Sequence, residues 1–396
     1  MGNVPNLRFP EFTGEWKKYR LDEMGESFIG LTYSPKDVVE NEGTIVFRSS
    51  NIQNGQIDYS DIVRVSKTIK ERIITRENDL LICARNGSPR LIGKNALIKK
   101  TDANNTFGAF MMVYRSIDND FIHPLLSTRR YVSQVGENLG ARINQITTSD
   151  LNSFEFFFPK DDGEKRKIGK LFDLLNERIA TQNKIIDKLQ SLISGIIQNA
   201  IQKGLNDNTW EMIYLSKLLT ERKEKNSNGY EVNSVSVSEG VINQIEYLGR
   251  SFAASDTSKY NVVRYGDIVY TKSPTGNFPY GIIKQSFQKH PVAVSPLYGV
   301  YEPYSNEAGC FLHYYFLSSI VTTNYLSPLI QKGAKNTINI SNQTFLNNMV
   351  PYPKEEVGIR PIAELLRKVQ IKLNIERLSL VLLEQQKTYL SQSMFI

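Results

Sequence analysis

The sequence predicts an α+β protein with two tandem, mixed and mostly β domains, separated by a long antiparallel two-helix coiled coil. The chain has 396 residues, of which 40% are apolar, and this length favours two cores over one. Short apolar runs broken by turn signals alternate with two long heptad patterns. Several short sequence segments also occur twice in similar form, which indicates an internal duplication with a pseudo-two-fold relation.

The duplication shows as fixed offsets along the chain. Three pairs are 194 positions apart: Trp16 with Trp210, Pro159 with Pro353, and Ile168 with Ile362. The offset is 188 where "ITRENDLLI" resembles "VVRYGDIVY", and 193 where "GAR" at Gly140 resembles "GAK" at Gly333. The two copies therefore keep the same spacing at their beginnings and ends, whereas the spacing between matched residues differs in their central parts.

Each copy has a β-rich part followed by a helical part. Runs such as "DLLICA", "FMMVYR", "GDIVYTK" and "LYGVYE" are typical of strands. The predicted domains are residues 1–160 and 205–353, and the predicted helices are 161–204, between the domains, and 354–396 at the C-terminus.

Both helical parts carry apolar residues at alternating steps of three and four, which is typical of a coiled-coil seam. The first seam is Ile168, Phe172, Leu175, Ile179, Ile186, Leu189 and Ile193. The second seam is Ile362, Leu366, Val369, Leu373, Leu380 and Leu383. A polar residue, Gln182 or Glu376, occupies the same step of each pattern.

The direction of the chain predicts how these helices pair. The first leads from domain one to domain two and the second leads back, so helices that pack on each other run antiparallel. About 35 residues at roughly 1.5 Å each give a rod on the order of 50 Å, against roughly 34 Å for one turn of duplex DNA. Burial of each helix against its own domain is the alternative explanation of the seams.

Composition narrows the possible functions. A formal charge of +7 favours polyanionic partners. Two cysteines and three histidines lack metal-ligand spacing. The "GSPRLIGKN" stretch has the wrong spacing for a phosphate loop, and no catalytic triad emerges. We expect a non-catalytic, cytoplasmic protein that binds no cofactor and no metal itself and has no membrane segment.

Polar and basic loops in the first domain are candidates for DNA contact. Arg reads guanine and Asn or Gln reads adenine through paired hydrogen bonds, while Lys and backbone amides hold phosphates. Two loops, "FRSSNIQNG" and "ARNGSPRLIGK", supply the candidates Arg48, Asn51, Gln53, Arg85, Asn86, Arg90 and Lys94. Ordinary solvated turns are the alternative for each of these residues.

The matching turn of the second domain, "TKSPTGNFPYG", supplies Lys272, Ser273, Thr275 and Asn277. The duplicated loop adds Gly140 and Arg142 in one copy, and Gly333, Lys335 and Asn336 in the other. Glycine allows close backbone approach, and the basic side chain supplies charge for a phosphate.

Taken together, these features resemble the DNA-specificity subunit of type I restriction-modification systems. The resemblance rests on two variable β-rich units, each with a G-A-basic loop, an aromatic strand closed by proline and a heptad helix, and it covers essentially the whole chain. It implies that each unit is a target recognition domain for one half of a split, asymmetric double-stranded DNA sequence. The paired helices would set the gap between the halves.

The resemblance also implies partners. Two modification subunits would bind S-adenosylmethionine and methylate adenine, and restriction subunits would use ATP and Mg²⁺ to translocate and cut DNA. The exposed helix faces and the Trp16 and Trp210 segments are expected to meet the modification subunits, although core positions are favoured for both Trp side chains. A coiled-coil adaptor that binds protein surfaces is the alternative function, and a stand-alone nuclease or methyltransferase is a third.

Overall fold

The structure, a computed structural model, describes residues 2–139, 144–250, 253–332 and 338–396. The chain forms two compact units. Unit 1 takes in the chain up to Asn183 together with Leu378–Ile396, and unit 2 is Lys184–Arg377. Each unit therefore combines one β-rich segment with parts of two long helices.

Unit 1 contains twelve described strands: Lys17–Arg20 (β1), Glu26–Ile29 (β2), Val38–Val39 (β3), Thr44–Phe47 (β4), Ile52–Gln53 (β5), Gln56–Ile57 (β6), Val63–Val65 (β7), Leu80–Cys83 (β8), Asn95–Leu97 (β9), Thr106–Phe107 (β10), Met111–Arg115 (β11) and Glu155–Phe158 (β12). Its helices are Leu21–Met24 (α1), Asn119–Leu125 (α2), Arg129–Asn138 (α3), Thr148–Ser153 (α4) and the first part of Asp162–Asn206 (α5).

Unit 2 contains a second set of strands: Trp210–Tyr214 (β13), Leu219–Glu221 (β14), Asn233–Ser236 (β15), Gly240–Asn243 (β16), Asn261–Val263 (β17), Ile268–Tyr270 (β18), Ile283–Gln285 (β19), Val292–Val294 (β20), Gly299–Pro303 (β21), Gln331–Lys332 (β22), Ile338–Asn339 (β23) and Met349–Pro353 (β24). Its helices are Gln244–Leu248 (α6), Asn306–Tyr315 (α7), Ser319–Leu326 (α8), Asn342–Phe345 (α9) and the first part of Arg360–Ser393 (α10).

Short 3-10 turns connect several of these elements. They lie at Pro35–Asp37, Ser49–Asn51, Glu71–Ile73, Pro89–Leu91, Lys100–Asp102, Leu215–Lys217, Ser327–Leu329 and Glu356–Gly358.

A four-stranded antiparallel sheet, in the order β2-β11-β8-β9, forms the centre of unit 1. Alternate side chains of β8 point to opposite faces. Leu80 and Ile82 pack with the helices, whereas Leu81 and Cys83 pack against a second sheet of order β10-β4-β7-β3. Burial of both faces explains why the sequence of this strand is an unbroken apolar run.

Unit 2 repeats the central sheet in the same order, β14-β21-β18-β19, and all its pairs are antiparallel. Matched turns accompany the matched strands. The Arg76 amide donates to the Asp79 carboxylate at 2.8 Å, and the Arg264 amide donates to Asp267 at the same distance. The shared sheet order and turn are consistent with the internal repeat predicted from the sequence.

The edge strands also repeat. β1 pairs with β12, and β13 pairs with β24, in both cases antiparallel. The Leu21 amide donates to the Phe154 carbonyl at 3.0 Å, and the Leu215 amide donates to the Asn348 carbonyl at 2.9 Å. Leu21 and Leu215 are 194 positions apart, as are Phe154 and Asn348. The offset found for the Trp and Pro pairs in the sequence therefore also holds for these backbone hydrogen bonds.

Both tryptophans are core residues, as the sequence favoured. Trp16 packs edge-on against Phe121 and Phe395, with ring centroids 5.8 and 6.4 Å apart. Its indole Nε1 donates to the buried carboxylate of Glu164 at 3.3 Å, and Arg8 donates to both oxygens of that carboxylate at 2.7 Å. The N-terminal segment is thereby fixed to the start of α5.

Trp210 occupies the matching place in unit 2. Its ring lies 5.5 Å from that of Phe311, and a Cβ atom on Gly204 would lie 2.0 Å from its Cδ1 atom. Because only glycine leaves room there, the indole packs directly on the backbone of α5.

The predicted seam positions divide into buried and partly buried residues. In unit 1, Ile168, Phe172, Leu175, Ile179 and Leu383 are buried, and Leu380 is partly exposed. In unit 2, Ile186, Ile193, Leu366, Val369 and Leu373 are buried, whereas Leu189 and Ile362 are partly exposed.

A strict repeat of 3.5 residues does not hold along the whole of each helix. Ile197, four positions after Ile193, is buried, and so is Ala363, which follows the partly exposed Ile362 in the sequence. An α-helix has 3.6 residues per turn, so its buried stripe drifts relative to a heptad pattern. Helix α5 has 45 residues, which makes it longer than the rod expected from the sequence.

We predict that acid weakens unit 2 through His313. This side chain is buried on α7, and its Nδ1 accepts a hydrogen bond from the Gln285 amide at 3.1 Å. Burial, reinforced by Lys284, lowers its pKa from 6.5 to about 3. Unfolded protein takes up a proton below pH 6.5 while folded protein does not, so stability falls as pH decreases. The expected loss is about 2 kcal/mol between pH 7.5 and 5.

Hydrogen exchange of α7 at the two pH values measures this loss. His313→Asn retains an acceptor for the Gln285 amide and should show a smaller difference between the pH values than the natural chain. His290→Asn, at an exposed position, is the control and should keep the full difference. An equal pH response in His313→Asn and the natural chain would contradict the assignment.

Candidate nucleic-acid interface

Two loops of unit 1 leave the central sheet from the same end. Cys83 at the end of β8 pairs with Met111 at the start of β11. The start of the 84–94 loop and the end of the turn before β11 therefore lie side by side. The Phe110 carbonyl accepts hydrogen bonds from the amides of Ala84 at 3.0 Å and Arg85 at 2.9 Å. These bonds hold the two loops together.

The segment that begins at residue 144 joins the same surface. The Asn86 amide donates to the Asn144 carbonyl at 3.3 Å, and the Asn144 side chain donates to the Gly87 carbonyl at 3.0 Å. The Ile146 amide donates to the Ala84 carbonyl at 2.9 Å. The predicted contacts Gly140 and Arg142 precede this segment in the chain and lie outside the described residues.

The structure brings together most of the candidates predicted in unit 1. Arg85, Asn86, Arg90 and Lys94 share the 84–94 loop, where both arginines are exposed and the other two side chains are partly exposed. The Asn86 side chain donates to the Ser49 hydroxyl at 3.0 Å. This bond places the loop containing Arg48 and Gln53 beside the 84–94 loop.

Arg48 and Gln53 differ in how freely their side chains could contact DNA. Gln53 is exposed, and its side chain donates to the Ser50 carbonyl at 3.2 Å. The guanidinium of Arg48 forms an ion pair with Asp61 at 2.7 Å. A phosphate would have to compete with that carboxylate for Arg48.

Asn51 requires a correction, because its side chain has no exposed surface. Its Oδ1 accepts from the Arg48 amide at 2.8 Å, and its Nδ2 donates to the carbonyls of Asp58 at 3.0 Å and Asp61 at 2.9 Å. The hydrogen-bonding groups proposed to read adenine instead hold the backbone of the 48–61 loop.

Sequence reasoning missed Phe110, which it interpreted as part of a strand. The ring is 58% exposed, and the Arg85 guanidinium lies over it at 5.1 Å from the centroid. An arginine stacked on an exposed aromatic ring forms a preorganised cation–π pair. No spacing rule for short motifs would have indicated it, because the two residues are far apart in the sequence.

The 271–282 loop of unit 2 follows β18 as the 84–94 loop follows β8. Thr275 and Phe278 exchange two backbone hydrogen bonds of 3.0 Å around Gly276 and Asn277. Ser273 and Asn277 are exposed, and Thr275 is partly exposed. The loop therefore presents a short polar hairpin.

Lys272 also requires a correction. Its side chain turns inwards and donates to Asn342 Oδ1 at 2.6 Å, while Asn342 donates to Glu221 at 2.7 Å. Burial lowers the pKa of this amine. Lys272 thus secures the loop to α9 and is poorly placed to bind a phosphate. Gly333, Lys335 and Asn336 lie outside the described residues.

The described chain gives few groups suited to covalent or metal chemistry. Within the described ranges, no cluster of three or more His, Cys, Asp or Glu could hold a metal ion. Burial raises the pKa of Cys83 and of Cys310 to about 11, so both thiols stay protonated at neutral pH. None of the described helices is long and apolar enough to cross a membrane.

The geometry defines a class of protein: a duplicated α+β scaffold that presents a polar loop cluster from the same end of two equivalent sheets. Comparison with known proteins shows which proteins this chain resembles. The family model for the type I restriction modification DNA specificity domain matches residues 13–191. This match confirms the resemblance found in the sequence.

Two curated relatives agree with this match. The chain is 24% identical over 227 residues to the type I restriction enzyme StySPI specificity subunit of Salmonella potsdam, which covers 51% of this chain and 49% of the relative. It is 24% identical over 185 residues to the EcoKI specificity subunit of Escherichia coli (strain K12), covering 45% and 39%. This chain therefore spans about half the length or less of these relatives in the matches.

A solved structure extends the likeness in fold to nearly the whole chain. The S subunit of a type I restriction-modification system from M. genitalium superposes with a TM-score of 0.63 at 15% identity, covering 99% of both chains. At that identity the superposition establishes a shared mixed fold with long helices.

We predict that Asn51→Ala destabilises unit 1. The substitution deprives one buried amide and two carbonyls of their partner, and each loss costs about 1–3 kcal/mol. Thermal unfolding should therefore begin several degrees lower. Gln53→Ala, on the exposed side of the same loop, is the control and should unfold like the natural chain. An Asn51→Ala protein that unfolds at the same temperature as the natural chain would contradict this structural role for Asn51.

Proposed function

We propose that this chain is the specificity subunit of a type I restriction-modification complex and that it directs the partner subunits to a split, asymmetric sequence in double-stranded DNA. The observation that carries the proposal is the repetition of one sheet order with a polar loop cluster at the same end of each sheet. Two unlike loop sets on one scaffold suit two unlike half-sites.

The finer architecture belongs to the proposal. Residues 1–160 and 205–353 act as target recognition domains, and residues 161–204 and 354–396 form an antiparallel two-helix coiled coil that sets the spacing of the half-sites. Contacts inside unit 1 support antiparallel pairing. Phe172 near the start of α5 packs on Phe395, just beyond the end of α10, with ring centroids 5.7 Å apart.

DNA contact falls to the exposed and partly exposed side chains of the loops. Arg85 and Arg90 supply positive charge on the 84–94 loop, and Asn86 and Gln53 supply paired donors and acceptors. In unit 2, Ser273, Thr275 and Asn277 form the corresponding polar edge. Arg142 and Lys335 remain proposed phosphate contacts, on the sequence evidence alone.

Two modification subunits bind this chain, and restriction subunits complete the assembly. Exposed apolar side chains along α10 support a helical docking face: Leu378, Val381, Leu382 and Tyr389 in unit 1, and Leu365, Ile371 and Ile375 in unit 2. Surfaces of this kind mark protein contacts more often than free surface. Near Trp210, the exposed neighbours Met212 and Tyr214 offer the contact, because the indole itself is buried.

Chemistry is assigned to those partners. The modification subunits carry S-adenosylmethionine and methylate adenine, and the restriction subunits use ATP and Mg²⁺ to cleave unmethylated DNA. This chain supplies no catalytic group and works in the cytoplasm, where it meets the DNA.

Exchange of one domain tests the proposal. Replacing residues 1–160 with the corresponding segment of a relative of known target should change one half of the methylated sequence and preserve the other half and the spacing. Each half is set by its own loops, so no compensating change is expected in the other. Sequencing of methylated adenines in a strain that carries the chain and its modification partner measures the outcome.

The reciprocal exchange of residues 205–353 is the matched control, and it should change only the other half. A chimaera that folds and methylates DNA but alters both halves, or neither, would contradict the division of reading between the two domains.

A further inference from the structure

We propose that Phe110 and Leu297 are specificity-determining residues, each of which packs on the 5-methyl group of a thymine in the major groove of its own half-site. The inference rests on the proposed function and deepens it. Nothing in the short motifs of the sequence indicates these two residues. Their places in the fold do.

Both residues occupy the same position of the same turn. In unit 1, the Met111 amide donates to the Gly108 carbonyl at 2.8 Å, which closes a four-residue turn with Phe110 third. In unit 2, the Tyr298 amide donates to the Ser295 carbonyl at 3.0 Å, which closes the equivalent turn with Leu297 third. Each turn leads into the second strand of the four-stranded sheet, β11 or β21.

The turns lie beside the loops that carry the polar candidates. Met111 pairs with Cys83, immediately before the 84–94 loop, and Gly299 pairs with Tyr270, immediately before the 271–282 loop. An apolar side chain is thus placed next to donors and acceptors at the same edge of each sheet. That combination suits the recognition of thymine, because thymine differs from cytosine in the major groove by its methyl group as well as its oxygen.

Both side chains face solvent, and their backbones are fixed. Phe110 is 58% exposed and Leu297 is 73% exposed. The Phe110 carbonyl accepts two amide hydrogen bonds from the neighbouring loop, and the Leu297 amide donates to the Ser295 hydroxyl at 3.3 Å. A single exposed apolar residue is ordinary on a protein surface. Two at one turn position, each beside a polar loop, indicate a shared contact.

The environment of Phe110 selects DNA as the occupant. The Arg85 guanidinium lies over one face of the ring, which leaves the rest of the exposed ring for a ligand and places a positive charge beside it. A protein partner for this ring would have to accommodate that charge as well, whereas a base edge next to a phosphate complements both groups.

The experiment removes the methyl group from the DNA. The complex of this chain with its modification subunits is titrated with a duplex that carries the mapped methylation target, and each thymine in turn is replaced by deoxyuridine. We expect one position in each half-site at which uracil weakens binding roughly fourfold, the effect of one buried methyl group.

Variants assign each position. Phe110→Ala should bind the thymine duplex as weakly as the natural chain binds the uracil duplex, and should no longer respond to uracil in one half-site. Leu297→Ala should lose the response in the other half-site only. Phe110→Leu keeps an apolar surface and should keep part of the response.

The structure offers matched controls at the far ends of the same strands. Ile117 follows β11 and is 94% exposed, and Tyr304 follows β21 and is 70% exposed. Ile117→Ala and Tyr304→Ala remove a similar apolar surface away from the loops, and both should retain the uracil response in both half-sites.

Two outcomes overturn the inference. In one, no uracil position responds in the natural complex. In the other, the responses persist unchanged in Phe110→Ala and Leu297→Ala. In either case the natural complex still prefers its target to a scrambled duplex, so the proposed function stands. A complex without that preference refutes the proposed function itself.

Discussion

The aromatic cluster of unit 1 is the packing constraint on which the rest of the structure depends. Phe395, the penultimate residue of the chain, inserts between Trp16, Phe121 and Phe172, with ring centroids 6.4, 5.3 and 5.7 Å away. The Leu7 amide donates to the Ser393 carbonyl at 2.8 Å and ties the N-terminal segment to the same place. The first core therefore includes Phe395, which follows α10, so the start of α5 and the last turns of α10 cannot be separated without opening unit 1.

This constraint gives the polar loops of unit 1 a rigid base. Helix α2, which carries Phe121, packs beneath the central sheet, and that sheet fixes the turn at Phe110 and the 84–94 loop. Unit 2 uses the same plan, with Trp210 against Phe311 on α7. Side chains on the loops can differ between the units because the frame that holds them is the same. A duplicated scaffold with unlike loops is the physical basis of the proposed reading of two unlike half-sites.

Periodicity and repetition predicted much of this fold from the sequence. The offset of 194 located the paired edge strands, and the heptads located both long helices, because backbone pattern and burial determine both. Side-chain direction was not predictable: Asn51 and Lys272 looked like surface readers, yet each turns inwards to satisfy a local backbone or side-chain partner. Phe110 was missed because a strand-like run does not reveal where the strand begins. The duplicated G-A-basic loops remain predictions.

Hydrogen exchange of a Phe395→Ala protein tests the central claim most directly. Removing a buried Phe costs about 3–5 kcal/mol, and the account predicts faster exchange in β11 and α2 of unit 1, more than 250 residues away in sequence, with β18 and α7 of unit 2 unchanged. Tyr389→Ala, at an exposed position on α10, should leave both units protected. Faster exchange confined to the last turns of α10, with β11 and α2 still protected, would contradict the dependence of the first core on the end of the chain.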